Sequence, residues 1–205
     1  SVNQTAGFSI VKYTGTDVAG DTVGHGLGAV PKMIILKRLV GSGYDWVVYH
    51  KDKTAGLYLN STGINNDSSS NNIWFNGTAP TSSVFSIGTD GRIGDATNFI
   101  AYCFAEKTGY NKFGSYKGNG NADGSFIYTG FKPAFVIIKG AVSGDGDAAQ
   151  NWELYDNKRI GHNPNNYTLF PNTTAVDSDG DRIDLLSNGF KIRINSDGVN
   201  DNNST

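Results

Sequence analysis

Asp177, Asp179 and Asp181 stand at alternate positions in the run Asp177-Ser178-Asp179-Gly180-Asp181. In a Gly-containing loop, that spacing could gather oxygen ligands around a hard cation such as Ca²⁺. The run is not an EF-hand loop: its Gly comes two positions early, and Asn188 stands where the closing Glu belongs. The same composition also makes solvated acidic turns, as at Asp145-Gly146-Asp147 and Asp197-Gly198. Both readings stand at this level.

Aromatic rings between polar loops suggest a second chemistry, in which the C–H face of a sugar stacks on the ring while Asn and Asp bind its hydroxyls. Trp74, in Asn71-Asn72-Ile73-Trp74-Phe75-Asn76-Gly77, is the first candidate for carbohydrate binding. Tyr110, Tyr44 and Tyr167, beside Gly- or Asn-rich loops, stand behind it. The competing reading of Trp74 is a core residue, since large aromatics in strands are usually buried.

Catalytic signatures are weak. A retaining glycosidase needs two carboxylates about 5 Å apart, and the only glutamates, Glu106 and Glu153, fall in different halves of the chain. No Gly-x-Ser-x-Gly elbow leads into a helix. His25, His50 and His162 are not spaced as zinc ligands, and His25 between two glycines reads as a turn residue. Gly-x-Gly at 24–26 and 118–120 precedes no helix, so phosphate cradling has no support. Inverting chemistry by aspartates alone, as in a glycan depolymerase, is the enzymatic reading left open.

The elements that must position these groups are strands. With 12% aromatic and 18% charged residues and 27 Gly, the 205-residue chain is neither disordered nor helical. A net charge of -2 gives no polycationic field for nucleic acid, and no apolar run nears the ~20 residues of a membrane span. Cys103 has no partner for an internal disulfide. Short runs rich in Val, Ile, Phe and Tyr, each bounded by Gly, Asn, Asp or Pro, predict an antiparallel all-β fold. Met33-Ile34-Ile35-Leu36 and Phe135-Val136-Ile137-Ile138 are apolar on both faces and predict central strands. Helix is expected only as single turns, one near Asp52–Ala55.

The chain also matches itself. Tyr13-Thr14-Gly15 corresponds to Tyr116-Lys117-Gly118, and Pro31-Lys32-Met33-Ile34-Ile35-Leu36-Lys37 to Pro133-Ala134-Phe135-Val136-Ile137-Ile138-Lys139. Trp46-Val47-Val48-Tyr49-His50 follows with Trp152-Glu153-Leu154-Tyr155-Asp156, then Leu57 with Leu169 and Phe85 with Phe190, at an offset of about 102 to 112 residues. These matches predict one domain over residues 1–205, a β-sandwich of two internal repeats, approximately 7–107 and 111–205. Trp46 and Trp152 are expected as equivalent core anchors, with Tyr49 and Tyr155 on the opposite face.

The strings GFSIVKYTG (Gly7 to Gly15), VGHGLGAVPKMIILK (Val23 to Lys37), DWVVYH (Asp45 to His50), FIAYCFAE (Phe99 to Glu106), GFKPAFVIIK (Gly130 to Lys139) and LLSNGFKIR (Leu185 to Arg193) carry a resemblance over nearly the whole chain. They resemble an uncharacterised family of marine bacteriophage structural proteins, described as tail-fibre-like or as concanavalin-like (LamG-like) lectin domains. The resemblance implies a virion-surface, extracellular β-sandwich for adhesion to host surface glycan, or a purely structural module in a homo-oligomer such as a trimer. It carries over no catalytic residue.

The second repeat lacks a counterpart of the apolar run Phe99–Glu106. Either the chain continues beyond residue 205 with such a strand, or another chain, such as a neighbouring virion protein, fills the vacant edge by strand addition.

Overall fold

The computed structural model describes residues 1–65, 74–141 and 150–201. It is mostly β, in antiparallel sheets, with one short helix. The first strands are β1 (Val2–Asn3), β2 (Phe8–Thr14), β3 (Thr22–Gly24), β4 (Pro31–Arg38), β5 (Val47–His50), β6 (Lys53–Tyr58), β7 (Ile64–Asn65), β8 (Val84–Ser86) and β9 (Asn98–Ala105). After them come β10 (Phe126–Tyr128), β11 (Phe135–Lys139), β12 (Trp152–Asp156), β13 (Asn165–Thr168), β14 (Ser178–Leu186), β15 (Gly189–Ile192) and the helix α1 (Asp197–Asn200). The chain divides into two compact units, one of Ser1–Leu59 and Ile64–Gly114, the other of Asn60–Gly63 and the residues from Ser115 onward.

The first unit holds a seven-stranded sheet in the order β1-β2-β9-β4-β5-β6-β7 and the separate pair β3-β8. Its pivot is β9, Asn-Phe-Ile-Ala-Tyr-Cys-Phe-Ala, in which period-two alternation turns Phe99, Ala101, Cys103 and Ala105 inward. The small inward side chains let the sheet approach a core of Ile34, Leu36, Val47, Phe85, Ile87 and Ile93, where each large side chain contributes roughly 1.5–3 kcal/mol by leaving water. β4 opens on Pro31, a strand-initial position where its missing N–H removes no needed donor. It pairs with β5 on one side and β9 on the other.

The second unit holds a four-stranded sheet in the order β10-β15-β14-β13 and the pair β11-β12. Its core gathers Val136, Ile138, Tyr155, Ile183, Leu185, Phe190, Ile192 and Val199.

Matched segments pair in matched register. Ile34 faces Tyr49 as Val136 faces Tyr155, and Leu36 faces Val47 as Ile138 faces Glu153. Val48 faces Leu57 as Leu154 faces Leu169, and Val23 faces Phe85 as Ile127 faces Phe190. Lys37 lies over the Trp46 ring and donates to the Tyr44 carbonyl; Lys139 lies over the Trp152 ring and donates to the Gln150 carbonyl. The Tyr13 hydroxyl donates to the Ile93 carbonyl at 2.8 Å and the Tyr116 hydroxyl to that of Val199 at 2.7 Å. A Cβ on Gly15 would strike the Asp95 carbonyl, and one on Gly118 the Asp201 carbonyl.

Several expectations are corrected. Asp52–Ala55 forms no helical turn, because Lys51-Asp52 is the two-residue loop of the β5–β6 hairpin and β6 starts at Lys53. Residues 112–116 form no strand. Tyr49 and Tyr155, not the Trp residues, face the two cores; Trp152 is buried on the other face of its strand, and Trp46 is only half-buried, beside Tyr102. β11 is not central: among the described residues it pairs with β12 alone.

Candidate functional site

Trp74, the first candidate for carbohydrate binding, is buried. It is 2% exposed, in the core of the first unit, with Tyr58 edge-on at 5.1 Å. Its ring packs against β6, where a Cβ on Gly56 would overlap the six-membered ring of the indole. Its neighbours Asn71, Asn72 and Ile73 lie outside the described residues, as does Asp145-Gly146-Asp147. Tyr44 is half-buried under the Arg38 guanidinium, 4.0 Å from the ring centre. Tyr110 is exposed in the turn after β9, and Tyr167 is 40% exposed on β13. Among the described residues no ring contact joins any two of these four.

The acidic run is also placed differently from expectation. Asp179 and Asp181 sit on the strand β14, not in a loop, because Ser178 and Asp179 pair with Thr168 and Tyr167 of β13. Asp177 accepts from Arg159 at 2.9 Å. Among the described residues no group of three His, Cys, Asp or Glu is placed to hold a metal ion.

The two glutamates have unlike surroundings. Glu106, just after β9, accepts from Lys112 at 2.9 Å and from the Phe113 N–H at 3.3 Å. Partial burial pushes its carboxyl up, but these donors outweigh that and hold it below the usual value. Glu153 is buried inside the second unit, hydrogen-bonded by the Tyr155 hydroxyl, with Arg182 Nη1 3.3 Å away. Burial dominates there and raises the Glu153 pKa despite both partners. Cys103 is fully buried and its thiol is pushed up to about 12 by that burial, so it is a poor nucleophile. His25 is buried, not a free turn residue. Nε2–H donates to the Thr81 carbonyl at 3.1 Å and Nδ1 accepts from the Leu27 N–H at 3.2 Å, a pairing that suits the neutral ring.

A cleft lined by Lys132, Asn157, His162, Asn163, Asn165 and Leu185 encloses about 50 Å³. That is far below the roughly 300 Å³ at which small-molecule pockets begin, so a sugar ring cannot be engulfed there. An open face is the alternative.

Such a face lies on the edge strand β10. Ile127 points into the core, so the alternation sends Phe126 and Tyr128 to the opposite side, where they are 46% and 66% exposed. Phe126 lies beside Lys191 and Tyr128 beside Gly189 on β15, and a Cβ on Gly189 would press on the Phe126 ring. Lys191 bonds the Gly124 carbonyl at 3.0 Å and pairs with Asp123 at 2.6 Å. Asp184, opposite Lys191 on β14, pairs with Arg193 at 3.5 Å. Two rings thus lie among charged groups able to bond hydroxyls. Sequence reasoning missed Phe126 and Tyr128, yet a signal existed: the same outward positions on β3 are Thr22 and Gly24.

A family model described as a domain of unknown function (DUF7483) matches residues 1–205. The chain belongs to this family. No curated protein and no solved structure is significantly similar to it. Membership therefore supplies no ligand and no reaction, and the chemistry of the family member at hand rests on the surfaces just described.

Proposed function

We propose that this chain is a non-catalytic recognition module of a virion appendage, a β-sandwich of two repeated units that binds host surface glycan on the outer face of β10. One observation carries the binding site. Between β3 and β10 the inward residue and its partner keep register, Val23 with Phe85 and Ile127 with Phe190, while the outward pair changes from Thr and Gly to Phe and Tyr. The fold of the unit does not require rings at those positions, and two exposed aromatic side chains forgo hydrophobic free energy that burial against a ligand would return. Stacking on sugar C–H faces, with Lys191, Asp123, Asp184 and Arg193 around them, is the matching chemistry. The equal registers of β4 with β5 and of β11 with β12 support the repeat, and the phage-protein resemblance supports the setting.

The test is titration of host polysaccharide into the full chain, with aromatic ring resonances followed by NMR. Shifts at Phe126 and Tyr128 are expected, and loss of binding in Phe126→Ser/Tyr128→Ser with an unchanged melting temperature. Absence of binding across a glycan array would remove the reading, and release of reducing sugar would replace it with a depolymerase. A second reading, an assembly module without a small ligand, is favoured by the open edge of β11.

A further inference from the structure

In the first unit β4 is flanked on both sides, by β5 and by β9, and β9 in turn pairs with β2. In the second unit β11, which matches β4 residue for residue in its pairing with the next strand, has β12 on one side and, among the described residues, no strand on the other. The side chains record the difference. Met33 is 8% exposed, whereas Phe135 at the matching position is 57% exposed. Ile34 and Leu36 are sealed, whereas Val136 and Ile138 retain some exposure.

The opposite wall of this position is present as well. Tyr116 is anchored to the Val199 carbonyl as Tyr13 is to that of Ile93, and meets Phe190 edge-on at 6.2 Å as Tyr13 meets Phe85 at 5.9 Å. Tyr13 has a further partner, Phe99 of β9, stacked at 5.1 Å. Among the described residues Tyr116 has no stacked ring.

We propose that the free edge of β11 accepts one extended strand from a separate polypeptide with the chemistry of β9, antiparallel to β11, small apolar side chains turned inward and an aromatic ring stacked on Tyr116. The occupant is argued from the first unit, where β9 fills the corresponding place. Its register follows too. Ala101 faces Leu36 and Cys103 faces Ile34, so the donor sets small residues opposite Ile138 and Val136. Main-chain hydrogen bonds would give the affinity and the inward positions the selectivity. The proposal rests on the correspondence of the two units and not on glycan binding.

The test uses the full chain and a synthetic peptide of the Asn98–Ala105 sequence, with Cys103→Ala and flanking lysines for solubility. Saturation at one peptide per chain is expected, with a melting temperature raised by several degrees and amide exchange slowed at least tenfold at Ile137 and Lys139, whose N–H groups point away from β12. A peptide that also carries Ala101→Glu should do neither. No change in exchange with the unsubstituted peptide overturns the proposal. Protection of the outward amides Ile137 and Lys139 before peptide is added does so too: if it rises with protein concentration the edge belongs to a second copy, and if it does not the chain covers its own edge. Phe126→Ser/Tyr128→Ser should take the peptide as the parent does, so failure of the glycan reading and failure of this one are distinguishable.

Discussion

His25 and Trp74 illustrate what a side chain becomes once its surroundings are known. Both ring nitrogens of His25 are engaged in a form suited to the neutral imidazole, and burial lowers its pKa, against the pull of the Thr81 carbonyl. His50 is lowered as well, chiefly by burial. As pH falls through about 6.5, the unfolded chain takes up these protons before the folded one does, so stability falls. Urea midpoints measured from pH 7.5 to 5 should decline, and His25→Gln should lessen the slope; an equal slope would show that His25 does not titrate differently on folding. For Trp74, Trp74→Ala should cost about 3–5 kcal/mol in chemical denaturation. Gly56→Ala should be damaging by a different route, because its Cβ lands in the indole ring. A Gly56→Ala chain of parental stability would mean that the ring does not rest on β6. Sequence composition could not choose between a ligand-facing and a core Trp74, since that depends on β6, which lies distant in the chain.

At the scale of elements, alternation and turn residues made most strands legible, including β4, β9, β11 and β15. The misreadings have a shared cause. Lys112–Tyr116 has the composition of a strand but, among the described residues, lacks the neighbour that β9 provides to β2. Asp177–Asp181 has the composition of a loop, but from Ser178 on it is drawn into β14 by pairing with β13. Strand formation depends on a partner as much as on propensity, and partners are not local. On β12 the inward alternation puts Glu153 where the matching position of β5 has Val47. Its raised pKa means that the folded chain holds a proton at pH values where the unfolded chain has released it, so its contribution to stability falls as pH rises from about 4.5 through the folded value. The stability difference between the parent and Glu153→Gln should therefore change across that window, the parent gaining relative to the variant toward acid. A difference independent of pH would mean that burial does not govern this carboxyl.

At the scale of the whole chain, self-similarity was the most informative feature of the sequence, because corresponding segments turn up in equal register. The vacant edge was legible in the missing counterpart of Phe99–Glu106, whereas the exposed rings of β10 were harder to find, since they stand out only where the two halves are compared position by position. That comparison implies a pattern of mutational tolerance. A saturation scan read out by folding should give two profiles that superpose after a shift of about 102 to 112 residues. Val23 and Ile127, Ile34 and Val136, Tyr49 and Tyr155, and Phe85 and Phe190 should be sensitive in pairs. The superposition should fail in one place that folding controls: polar substitutions at Phe135 should be accepted where the same changes at Met33 are rejected. A scan read out by binding should separate the profiles elsewhere, at Phe126 and Tyr128, whose counterparts Thr22 and Gly24 would remain permissive. Two halves that share one grammar of burial would thus be under different selection on their outer faces, each free to diverge where its counterpart is held.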